Sequence, residues 1–133
     1  MQGFGKAQWP LFLGLLGLCA AYIQGGLNKL LDFPGAVGEA EHFGLPMPVL
    51  VAVGTIVLEL RGSLLILLGV LRWLAALGLG AFTLVATFIA NRFWELPAGH
   101  ERFMMANSFF EHLGLVGAFL LVAWWDLRKG SGG

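Results

Sequence analysis

The chain is 133 residues long, 58% hydrophobic and 12% charged, with a formal net charge of +0 and a mean hydropathy of +0.81. Ordinary soluble domains carry roughly a quarter charged residues, so this composition excludes a water-soluble fold and points to lipid as the solvent. With no basic excess and no recognisable reader motif, nucleic acid is excluded as a partner, and the single cysteine, Cys19, allows neither an intrachain disulfide nor a cysteine-based metal site.

A spanning helix needs about 20 mostly apolar residues, and the first such run covers 9–31. Lys6 followed by LFLGLLGLCAA has the outline of a signal peptide, but the run continues through YIQGGLNKLL and is too long for a cleaved segment. LGLC approximates a lipoprotein box, yet Leu18 stands where a small residue is wanted. Next comes DFPGAVGEAEHFGLPMP, in which Pro34, Gly35, Gly38, Gly44, Pro46 and Pro48 rule out one long helix; it is an ordered loop or a short interfacial helix. The second run, 49–71, and the third, 73–93, meet at Leu71, Arg72 and Trp73, which forces a tight hairpin. WELPAGHERFMM, with Pro97 and Gly99, is a polar connection to the fourth run, 107–125, and GSGG at 130–133 reads as a flexible tail.

Short links between these spans predict an all-α integral membrane four-helix bundle, up-down-up-down and antiparallel, in a single domain over 1–129 with both termini on one face. On that face Lys6, Arg72, Arg128 and Lys129 are opposed only by Asp126, whereas the other two connections hold Asp32, Glu39, Glu41, Glu95 and Glu101 against Lys29, Arg92 and Arg102. Basic residues favour the cytoplasmic side, which places the N and C termini in the cytoplasm. Gly14, Gly17, Gly62, Gly69, Gly78, Gly114 and Gly117 are expected to let helices approach closely.

Helical spacing groups the polar residues into stripes: Gln24, Asn28 and Asp32 with Lys29 adjacent; Thr55, Glu59 and Ser63; Thr83, Thr87 and Asn91; and Asn107, Ser108, Glu111 and His112. A stripe facing lipid would be costly, so all are expected to line a polar cavity in the outer half of the bundle, above an inner half of mostly Leu, Ala and Gly. At about 1.5 Å per residue, Glu59 and Thr83 lie roughly 15 Å deep, Gln24 roughly 11 Å, and Glu111 and His112 about 6 to 8 Å. Arg61 lies about 200° round the helix from Glu59 and belongs to no stripe. A lone arginine at the bilayer centre costs from about 2.5 kcal/mol to above roughly 10 kcal/mol, so a structural ion pair is expected, with Glu111, Asp32 or a group on a second copy of the protein.

The order of motifs adds a resemblance. Gly25, Gly26, Lys29, Asp32 and Phe33, then Gly44, Leu45, Pro46 and Pro48, then Leu58, Glu59, Leu60, Gly62 and Gly69 resemble the DoxX family of small bacterial and archaeal membrane proteins with four helices, from Gly14 to about Ala123. The resemblance implies a cytoplasmic (inner) membrane protein. Some relatives, the DoxD-type subunits, belong to thiosulfate:quinone oxidoreductases, and others are linked loosely to redox or sulfur metabolism. By motif position the family's carboxylate maps to Glu59 and its basic residue to Lys29, while Ser63 stands where a second glycine is usual and Arg61 departs from the pattern.

These readings predict a redox-linked membrane subunit with a quinone or small-anion pocket. Glu59 is its expected proton acceptor and His112 its second catalytic group. Lys29 would attract an anion such as thiosulfate, and Asn28, Gln24, Thr87, Asn91, Asn107 and Glu111 would line the pocket. Quinone is the expected cofactor. The chain has no electron-carrying centre of its own, so catalysis would need a partner redox subunit or direct contact of donor and quinone. His42, His100, His112 and Glu111 lack ligand spacing such as HxxxH, so no metal or haem is expected. The phenylalanines, Met104 and Met105 read as lipid-facing or core groups. The alternative is a non-enzymatic assembly or scaffold protein whose intramembrane charges serve helix pairing and homo-oligomer contacts. A small-solute carrier is disfavoured by the lack of an internal repeat.

Overall fold

The computed structural model describes residues 9–132, with side chains through Lys129; Lys6, counted above toward the cytoplasmic face, and Gly133 of the expected tail lie outside the described residues. In chain order the elements are α1 (Trp9–Leu31), α2 (Phe33–His42), α3 (Pro48–Leu68), α4 (Arg72–Ala90), a single 3-10 turn (Phe93–Glu95) and α5 (His100–Gly132). Among the described residues no strand occurs, and 4 helical segments are long and apolar enough to cross a membrane. The chain is an all-α membrane protein.

The first span keeps the bounds expected from its apolar run. The second stops short of residue 71 because Gly69, at φ 78°, reverses the chain, its N–H donating to the Leu65 carbonyl at 2.9 Å while the N–H of Val70 donates to the same carbonyl at 3.1 Å. The segment after the first span resolves as a helix. Asp32 caps α2 by accepting from the Gly35 N–H at 3.2 Å, with Pro34 in the first turn where no amide donor is needed. α5 begins well before residue 107: Glu101, Arg102, Met104 and Met105 are good helix formers, so the helix starts as soon as Gly99 is passed, and its backbone runs on to Gly132.

Two compact units divide the chain near Ala75. In the first, α3 is packed by both α1 and α2. α1 buries Leu15, Cys19, Tyr22 and Gly26, and α3 buries Ala52, Ile56, Glu59, Gly62, Ser63 and Ile66. With Gly62 beside Ser63 as an added small residue, both sets follow steps of four and three residues, the spacing of knobs-into-holes packing. The helices run antiparallel, with Gly26 against Leu60 and Glu59 and Cys19 beside Ser63. At Gly26 a side chain does not fit: an added Cβ would lie 2.7 Å from Leu60 Cγ and Cδ2.

In the second unit α4 and α5 approach at Gly80, where an added Cβ would come within 3.2 Å of Phe119 Cβ. The close contacts therefore fall at Gly25, Gly26 and Gly80. Gly14, Gly17, Gly114 and Gly117, expected to serve this purpose, face open space instead, because each sits on the side of its helix away from the packed seam.

Gly26→Ala is expected to destabilise the protein by about 1–3 kcal/mol, the usual cost of overpacking, while Gly17→Ala, which meets nothing within 4 Å, is expected to be neutral or stabilising. Unfolding of both variants in detergent, followed by tryptophan fluorescence, checks the contrast; equal stabilities would refute the α1–α3 packing.

Candidate functional site

The polar stripe of α3 turns inward as its spacing requires. Glu59 is 5% exposed and Lys29, from the last turn of α1, donates to its Oε1 at 2.7 Å. Gly25 and Gly26 make room for this pair: an added Cβ at Gly25 would stand 3.3 Å from Glu59 Oε2. The Glu59 side chain is buried and that of Lys29 only part-buried, so the carboxylate, cut off from solvent, is satisfied by the ammonium. The expected proton acceptor and the expected anion attractor are thus a single ion pair.

The rest of the α1 stripe does not join them. Gln24 and Asn28 are exposed, because the face of α1 that meets α3 is the one carrying Tyr22, Gly26 and Lys29, about 100° per residue away from Asn28. Asp32 is occupied as the cap of α2. Arg61 is exposed and forms no ion pair among the described residues, so the pairing expected with Asp32 is not made.

The second unit holds a separate polar group. Asn91, one residue past the end of α4, donates from Nδ2 to Ser108 Oγ at 2.9 Å. His112 Nδ1 lies 2.6 Å from the Ser108 carbonyl oxygen. A carbonyl can only accept, so Nδ1 carries the proton and donates, and Nε2 of the neutral ring is left as an acceptor. The 3.5 Å approach of Asn91 Nδ2 to the same Nδ1 then brings two donors together and is not a hydrogen bond. Of the expected pocket residues, Asn91 and His112 are brought together. Thr87 is buried beneath them, its hydroxyl donating to the Thr83 carbonyl at 2.6 Å, as Thr83 does to Leu79 at 2.7 Å. Asn107 and Glu111 are exposed on α5 and lie outside the group.

Two features were missed at the sequence level. Phe88, Phe93, Trp94, Phe109 and Phe110 form one aromatic cluster, with Phe109 at its centre and ring centroids 5.3–5.5 Å from Phe88, Phe93, Trp94 and Phe110. The phenylalanines among these rings were expected to be lipid-facing or core groups; the signal was the dense placement of aromatics on either side of Asn91 and Ser108. The inner half of the first unit is also less apolar than expected. Ser63 and Cys19 are fully buried there, and Arg72, expected as a basic anchor at the hairpin, folds back to donate from Nε to the Ile66 carbonyl at 2.7 Å. Gly69 followed by a cation three residues later was the available signal, since helix C-termini leave carbonyls free and favour positive charge. Among the described residues no group of His, Cys, Asp and Glu could hold a metal ion.

Four apolar helical segments of spanning length, with a part-buried charge pair and a part-buried polar trio among them, define a polytopic α-helical membrane protein. The chain belongs to the DoxX family, whose family model matches residues 11–92. The inner membrane protein YphA of Escherichia coli strain K12 is similar to it, 31% identical over 121 residues that cover 90% of this chain and 86% of that protein. No solved structure matches.

Lys29→Met is expected to lower stability by about 3 kcal/mol by leaving Glu59 unpaired, and Lys29→Met with Glu59→Leu to recover most of the loss. Unfolding free energies of the wild type and both variants in the same detergent decide this; an unchanged single variant would show that the pair contributes nothing.

Proposed function

We propose that this DoxX-family protein is a redox-linked membrane subunit that takes a quinone head group at the trio of Asn91, Ser108 and His112. The observation that carries this reading is the juxtaposition of that trio with the aromatic cluster around Phe109. A quinone offers a flat apolar ring, which aromatic side chains can stack on, and polar oxygens at its edges, which need a donor or acceptor. The residues present fit both demands.

His112 holds its Nδ1 proton against the Ser108 carbonyl, which fixes the ring and presents Nε2 outward from that contact. The neutral ring accepts a hydrogen bond from a quinol hydroxyl; the protonated ring donates one to a quinone carbonyl. His112 therefore serves proton transfer in either direction, while a bound quinone would supply the two-electron chemistry that the chain's own side chains lack. Electrons would come from a small donor such as thiosulfate, or be exchanged with a partner redox subunit. The resemblance to inner membrane protein YphA supports a place in the bacterial inner membrane. Arg128 and Lys129, stacked on Trp124 and Trp125 at 5.1 and 5.0 Å, support a cytoplasmic C-terminal end.

Glu59 takes a smaller part than a free carboxylate would. Its pairing with Lys29 favours the second reading, a non-enzymatic assembly protein whose charges specify helix pairing.

Titration of the purified protein in nanodiscs with a short-chain ubiquinone, read by quenching of tryptophan fluorescence, separates the two readings. Saturable binding is expected, weakened about tenfold in His112→Ala, the equivalent of one hydrogen bond. Binding that is absent, or indifferent to His112, would leave the assembly reading in its place.

A further inference from the structure

The pair of Lys29 and Glu59 satisfies its charges but leaves hydrogen-bonding capacity unused. An ammonium has three donors; Lys29 Nζ donates to Glu59 Oε1, and Glu59 Oε2 accepts no hydrogen bond among the described residues. Both spare groups open on one spot. The nearest atoms to the Cβ position that Gly25 leaves empty are Glu59 Oε2 at 3.3 Å and Lys29 Nζ at 3.7 Å. Gly25 itself is only part-buried, so the notch can be reached from outside the α1–α3 pair. Beside it on α1 stand Gln24 and Asn28, both exposed, and neither side chain has a hydrogen-bond partner among the described residues. α1 is long and apolar enough to cross a membrane, and there an unpaired carboxamide is costly. Side chains lean toward the N-terminus of their helix, so Asn28 covers the turn that contains Gly25.

We propose that the notch at Gly25 binds the head of a neutral, glycerol-headed lipid, one hydroxyl donating to Glu59 Oε2 while accepting from Lys29 Nζ, and a neighbouring hydroxyl bonding the Asn28 carboxamide. Charge and hydrogen-bonding polarity select this class. An ammonium in the notch would meet the like charge of Lys29. A carboxylate or phosphate would meet Glu59, and Glu39, near enough to act on Glu59 through space, adds to the repulsion. A carbonyl only accepts, so it would serve Lys29 and leave Oε2 bare. A hydroxyl donates and accepts through a single atom, which is what two groups this close to one point require. Asn28 likewise offers both a donor and an acceptor, so a second hydroxyl on the next carbon is matched as well. Lipid is the source because the notch and the carboxamides lie on a helix of membrane-spanning length, and an uncharged head reaches such groups without the penalty of desolvating an ion.

The inference is independent of quinone binding and is tested by lipid retention. Full-length protein is reconstituted in nanodiscs of phosphatidylcholine, which carries no hydroxyl, with monoolein added as the probe, and the lipid retained on release is read by native mass spectrometry. Wild-type protein is expected to retain monoolein, and to retain its dimethyl ether about tenfold less, the equivalent of one hydrogen bond. Gly25→Ala should weaken retention of monoolein by about tenfold or more, because its Cβ fills the notch against side-chain atoms alone. Asn28→Leu places a good helix former at an exposed position; it should weaken retention too, and it decides the matter if Gly25→Ala fails to fold. Equal retention of monoolein and its dimethyl ether, or retention indifferent to either folded variant, would overturn the proposal and leave water as the occupant of the notch. Displacement of monoolein by millimolar free glycerol would overturn the lipid source in favour of a soluble polyol.

Discussion

A carboxylate and an ammonium 2.7 Å apart, set between two helices of membrane-spanning length, are the contact on which the first unit depends. Apolar side chains alone specify little in lipid, because the surrounding chains are as apolar as they are. A buried charge pair is different: it is satisfied in one register only. With Lys29 on Glu59, α1 and α3 are held so that Gly26 meets Leu60 and Cys19 reaches Ser63. A shift of one helical turn would leave the buried Glu59 carboxylate without its partner, which is costly where water is absent.

Most other polar groups in the spans are satisfied by the backbone of their own or the preceding helix. Thr55, Thr83 and Thr87 donate to carbonyls three or four residues back, and Arg72 donates to the end of α3. This is the usual solution where water is absent. Its consequence for function is a short list of groups still able to serve a ligand. Asn91, Ser108 and His112 are on that list because the carbonyl of Ser108 fixes the imidazole by one nitrogen and leaves the other to act.

The spans were legible because a 20-residue apolar run has few alternatives, and the inward face of α3 was legible because Thr55, Glu59 and Ser63 recur at one helical angle. The stripe on α1 misled. Gln24, Asn28 and Asp32 share a face, but Lys29, one position on from Asn28, is the residue that turns to α3; polarity alone could not say which of two adjacent faces packs. The start of α5 was hidden because residues 100–106 are polar enough to read as a loop, although their helix propensity is high. The aromatic cluster was hidden for another reason: it joins residues before and after a connection, and single-helix spacing carries no information about such contacts. Glycine spacing likewise marked helices that could approach, while only the folded chain shows that Gly26 and Gly80 are where they do.

The family relationship and the fold agree with a membrane-embedded role, and the pair of Lys29 and Glu59 is the feature that ties the sequence motifs to the packing. Its direct test is through-space magic-angle-spinning NMR in lipid bilayers, on protein labelled with nitrogen-15 at lysine and carbon-13 at glutamate. The account predicts a strong transfer from the Lys29 ammonium to the Glu59 carboxyl carbon, lost in Glu59→Gln. Absence of that transfer in folded wild-type protein would contradict it.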